Sequence, residues 1–96
     1  MQPGLHRVLN MAEIKWKLYP LTKQEMSEEI KLVMNAYRER KLTDNELQQI
    51  ICFWAEHEPD KLFDGPHDFN GTVTQRIGKK RLQLLKKILN GHQKIN

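Results

Sequence analysis

The sequence predicts an all-α fold: a helical hairpin closed by a third, basic helix, with an extended N-terminal arm. Three observations carry this reading. Two Thr-x-x-Glu capping boxes, Thr22 to Glu25 and Thr43 to Glu46, each open a stripe of apolar residues at helical spacing. A third such stripe runs from Val73 to Leu89 and meets a stop signal at Asn90-Gly91. Only one short run alternates with period two, which is too little for a sheet.

Residues 1–10 (MQPGLHRVLN) have neither an amphipathic pattern nor caps, and Met11 follows them directly. They read as a disordered extension, with Met11 the expected start and residues 11–96 a single helical domain. Ile14, Trp16 and Leu18 then alternate with Lys15, Lys17 and Tyr19, the pattern of a half-buried extended segment. Such a segment either lies as an arm across the helices or pairs with its copy in a homodimer. Pro20 ends it.

The first helix is expected from Lys23 to Arg40, burying Met26, Ile30, Val33, Met34 and Tyr37. Arg38, Arg40 and Lys41 complement its C-terminal dipole. The second runs from the Thr43 box to Glu58, where Pro59 stops it, and the short link makes the pair antiparallel. Its core stripe is Leu47, Ile50, Ile51 and Trp54, and Cys52, Phe53 and Ala55 extend the apolar surface around it. Residues 59–71 read as an irregular connection whose Leu62, Phe63 and Phe69 plug the end of the hairpin. Asn70 or Thr72 then caps the third helix, expected to reach Leu89. Gly78 inside it costs about 1 kcal/mol relative to Ala and marks a candidate kink.

Size and composition narrow the function classes. Ninety-six residues, 39 % hydrophobic and 29 % charged, suit one globular domain. The single cysteine, Cys52, excludes an internal disulfide or a multi-cysteine zinc site, which fits a reducing, cytoplasmic setting. No apolar run approaches the ~20 residues of a membrane span, and no secretory h-region is present. His57, His67 and Asp68 match no metal-ligand spacing, and no phosphate loop or nucleophile set occurs. Flanked by Ile51 and Phe53, Cys52 reads as a buried, inert thiol. The expectation is a protein that is no enzyme and carries neither metal nor cofactor.

Charge is the most polarised property. Thr72 to Asn96 holds seven Lys or Arg and no acid, whereas Glu25 to Asp68 holds 11 acids against five bases. On a continuous third helix, Arg76, Lys79, Lys80, Lys86 and Lys87 gather opposite the apolar stripe. Five such cations form a candidate phosphate-binding face; the plainer reading is a solvated face whose field the acidic helices offset. A helix ending at Leu89 carries no Asn and only Gln75 and Gln83 for base edges. It also has no interleaved aromatic for base stacking. Arg81 falls inside the apolar arc, which predicts an acid partner from the first two helices or a bend at Gly78. Trp16, Trp54 and Phe53 are candidate partner-binding anchors, although core filling is the usual explanation of such residues in a chain this short, for Trp54 above all.

Lys61-Leu62-Phe63, the run from Val73 through Gly78-Lys79-Lys80-Arg81-Leu82, and Leu84 to Leu89 resemble a family of short uncharacterised proteins. Its members occur in low-GC Gram-positive bacteria and their phages, and the resemblance spans Tyr19 to Leu89. It implies cellular context and brings no activity or site residues. The expected function is a non-enzymatic interaction or regulatory protein, of phage or prophage type, that docks on a host protein. The alternative is a nucleic-acid-binding module that uses the basic helix.

Overall fold

The computed structural model describes residues 16–65 and 68–95, the last five as backbone only. Its elements are α1 (Lys23–Arg38), α2 (Asp44–His57), the single turn α3 (Pro59–Leu62) and α4 (Gly71–Ile95). The fold is all-α as the capping and periodicity predict, and α4 packs chiefly on α1 and then on α2. Among the described residues, extended backbone pairs only at the isolated antiparallel bridge Phe63–Phe69. The extension at residues 1–10, Met11 and Ile14 lie outside the described residues.

The two capping boxes close differently. At α2, Thr43 Oγ1 accepts the Glu46 N–H (3.1 Å) and Glu46 Oε1 accepts the Thr43 N–H (2.8 Å), so both arms form. At α1, Thr22 Oγ1 accepts the Glu25 N–H at 3.0 Å. The Glu25 carboxylate, however, accepts from Leu21 at 2.9 Å rather than from Thr22, and thereby holds the residue that precedes the cap.

Helix α1 ends at Arg38, two residues before the expected limit. Arg40 adopts a left-handed φ of 64°. Its N–H donates to the Tyr37 carbonyl at 3.0 Å, and Lys41 N–H donates to Ala36 at 2.8 Å. This is the Schellman pattern, with arginine where glycine is usual. Arg40 and Lys41 thus follow the helix rather than complete its last turn. Pro59 does end α2, yet it also opens α3, because at a first helical position its missing N–H leaves no bond unmade.

Asn70 is the polar hub of the connection and is buried. Its side-chain oxygen accepts the Val73 N–H at 2.8 Å, its amide donates to the Lys61 carbonyl at 2.5 Å, and its backbone N–H donates to Leu62 at 3.0 Å. One side chain therefore caps α4 and fixes it against α3. Leu62 is buried, and the rings of Phe63 and Phe69, 5.1 Å apart, pack half-buried on the core.

Gly78 divides α4. Its φ of 85° and ψ of 169° are non-helical, and the two helical halves meet there at a kink. Before the kink the buried residues are Val73 and Ile77; after it they are Leu85 and Leu89, while Leu84 and Ile88 are only half-buried. A straight helix turning about 100° per residue would have centred Leu84 and Ile88 on the line of Val73 and Ile77. The kink re-phases the stripe by roughly a quarter to a third of a turn. It also resolves Arg81 without an acid. One guanidinium nitrogen donates to the Ile77 carbonyl and another to Asn35 Oδ1, each at 3.0 Å. Nor does α4 stop at Asn90-Gly91, since its helical backbone continues to Ile95. An Asn-Gly pair permits a stop without imposing one.

Arg40 and Gly78, both at positive φ, predict opposite responses. Arg40→Gly relieves the left-handed strain and is expected to stabilise the protein by about 1 kcal/mol. Gly78→Ala meets no atom within 4 Å, so its cost is backbone strain alone, about 1–3 kcal/mol. Urea unfolding of both variants checks this. A stabilised Gly78→Ala, as helix propensity alone demands, overturns the account of the kink.

Candidate functional site

Two surfaces emerge, one built on the arm and one on α4. Trp54 anchors the first. It is fully buried, and its indole N–H is shared between the carbonyls of Lys17 and Leu18 at 3.1 Å each. The Lys17 N–H donates to Glu29 at 2.8 Å, and the Lys17 ammonium pairs with Glu25 at 3.3 Å. The arm is thus pinned across α1 and α2. Trp54, weighed between core filling and a partner contact, is a core side chain that seats the arm, because burying its N–H requires the two carbonyls.

Trp16 and Phe53 are both half-buried against the core. Phe53 lies between Tyr19, edge-on at 5.6 Å, and His57, tilted at 4.4 Å. Over this aromatic seat the arm exposes Leu18 (46 %), Tyr19 (60 %) and Leu21 (77 %), while Pro20 between them is buried. The alternation at 14–19 puts Leu18 inside with Trp16. It is exposed because residues 16–22 form no strand, so the two-residue period does not hold. Leu21 and Tyr19 were missed as candidates for the same reason; Tyr-Pro-Leu beside a capped helix is the signal that could have flagged them.

The second surface is the outer face of α4. Arg76, Lys79, Lys80, Lys86 and Lys87 are all exposed. The acidic helices barely engage them. Arg76 approaches Glu28 at 3.9 Å, and Glu28 also meets Lys31 at 3.0 Å. Lys79, Lys80, Lys86 and Lys87 make no ion pair with any described residue. The acids are occupied locally instead, as in Glu58–Lys61 (2.8 Å) and Glu39–Lys41 (3.3 Å). The arrangement leaves four ammonium groups on one helix unpaired among the described residues.

Among the described residues no group of three or more His, Cys, Asp or Glu could hold a metal. His67, one of the two central histidines, lies outside the described residues, and His57 stacks on Phe53. Burial pushes the Cys52 thiol up, and the Glu56 charge adds to the effect, so the thiolate is disfavoured. No helix among the described residues is long and apolar enough to cross a membrane.

A family model described as a conserved hypothetical protein matches residues 17–90. The chain belongs to that family. The matched span covers well over half of the chain and includes both surfaces: the arm from Lys17, the aromatic seat and the lysines of α4. No curated protein and no solved structure matches the chain.

The arm's attachment is pH-sensitive in one direction. The Leu21 N–H bond holds the Glu25 carboxyl below its usual range against a smaller opposing effect of burial, and Lys17 adds to the lowering. A depressed folded-state value means that the stabilisation is complete above the unfolded value and fades as pH falls through the folded one. Stability should therefore decline below about pH 4, and Glu25→Gln should flatten that decline. Thermal unfolding between pH 2.5 and 7 reads the difference; parallel profiles for the two proteins would refute the assignment.

Proposed function

We propose that this protein is a non-enzymatic interaction module that docks on another protein through the arm and the aromatic seat beneath it. The observation behind the reading is the exposure of Leu18, Tyr19 and Leu21 on backbone that is itself firmly pinned by Trp54, Glu25 and Glu29. Exposed apolar side chains on a rigid support lose little entropy on binding, which is what makes an anchor effective. Tyrosine adds a hydroxyl that tolerates both wet and buried states. A regulator of phage or prophage type, acting on a host protein, fits the small size and the polarised charge.

A second reading has its own support. Four lysines of α4 without ion-pair partners among the described residues suit contact with nucleic-acid phosphates, where each neutralised phosphate releases counterions.

Replacing Leu18, Tyr19 and Leu21 together by Ser separates folding from docking, since none of them is buried. Tagged wild-type protein should retain a specific partner from host extract, and purified partner should bind it with measurable heat in calorimetry. The triple variant is expected to keep the unfolding temperature within a few degrees and lose at least about tenfold in affinity. Equal affinity for the variant would remove the arm from the interface.

A further inference from the structure

Helix α4 continues past Asn90, and that extension changes what its outer face contains. Taken at about 100° per residue, Gln83 and Asn90 lie about 20° apart at the middle of the exposed arc. Lys79 and Lys86 flank them on one side, and Lys80 and Lys87 on the other. All six side chains are exposed, and the opposite arc is occupied by Leu85, Leu89 and their neighbours in the core. The face therefore has two cationic edges and an amide centre, with no acid on the helix from Thr72 onward. Lys87 shares a groove with Asp44, whose carboxylate is already engaged by the Tyr37 hydroxyl and forms no ion pair with the lysine.

From this arrangement we infer that the C-terminal half of α4 enters the major groove of duplex DNA, with Gln83 and Asn90 reading base edges between the two lysine edges. The inference rests on the second reading above and deepens it. A major groove about 12 Å wide admits one α-helix and is bordered by a phosphate backbone on each side. Lysines on both flanks of the helix match two such borders, whereas a solvated face has no need to keep its amides central. Gln83 and Asn90 stand seven residues apart, about 10 Å along the axis, close to three base-pair steps of 3.4 Å. Both amides can bond adenine N6 and N7 in a bidentate manner. Single-stranded nucleic acid fits less well, because the face holds no aromatic for stacking. Both halves of the contact sit on one rigid helix whose back is anchored in the core, so the positions of the amides are set before binding.

The test uses the full chain and a pool of random-sequence DNA duplexes. Wild-type protein should bind duplex with a log–log salt slope of about −3 to −4, as four phosphate contacts require. It should also enrich sites with adenines about three base pairs apart. Gln83→Ala/Asn90→Ala, at unchanged unfolding temperature, should keep the salt slope and non-specific affinity but lose about tenfold or more of the preference for enriched over random duplex. Reversing Lys79, Lys80, Lys86 and Lys87 to Glu should abolish both. No salt-sensitive duplex binding at 50 mM salt, or tighter binding to single-stranded RNA or anionic vesicles, overturns the inference. Duplex binding whose preference survives in Gln83→Ala/Asn90→Ala overturns base reading alone and leaves phosphate contact standing.

Discussion

Gly78 holds a backbone conformation that side-chain-bearing residues rarely adopt, and the placement of everything C-terminal to it follows from that constraint. Without the kink, Leu85 and Leu89 would sit off the line of Val73 and Ile77, and Arg81 would be driven into the core. With it, each half of α4 presents its own best apolar arc to α1 and α2. The guanidinium moves to the edge, where Ile77 and Asn35 accept from it. A half-buried guanidinium at the edge, held by two neutral acceptors, needs no buried counter-charge. Among the described residues, Lys79, Lys80, Lys86 and Lys87 then find no acid to pair with, and Arg76 alone approaches one, Glu28.

A second constraint organises the other end of the molecule. The Trp54 indole is buried in α2 and can satisfy its N–H only through the arm's carbonyls, so core packing and arm placement are a single event. From α1, Glu25 accepts the Leu21 N–H and Glu29 accepts the Lys17 N–H. The arm thus behaves as part of the tertiary structure although it has no regular secondary structure. Its outward side chains gain a fixed geometry, and this turns three exposed apolar residues from a solubility burden into a defined surface.

The two surfaces use different physics. The arm offers short-range apolar contact that is insensitive to salt, whereas α4 offers a long-range field that salt screens over about 8–10 Å. A molecule with both could hold a protein at one face and a polyanion at another.

Much of this architecture is legible along the chain. The Thr caps, the apolar spacing of Met26, Ile30, Val33 and Met34, and the breaks at Pro20 and Pro59 are local signals, since helix capping and steric exclusion act over a few residues. The candidate lysines are equally legible, because charge and helical period alone put them on one arc. Long-range partners were not. That Arg81 finds Asn35, that Trp54 holds the arm and not a ligand, and that Leu18 and Leu21 point outward depend on residues tens of positions away. Composition likewise suggested neutralisation between acidic and basic segments, but ion pairing falls off within a few ångströms and is set by rotamers and packing. Sequence therefore specified the three main helices, their N-terminal caps and their chemistry; tertiary packing decided which faces are buried, and so which charges and aromatics remain available to another molecule.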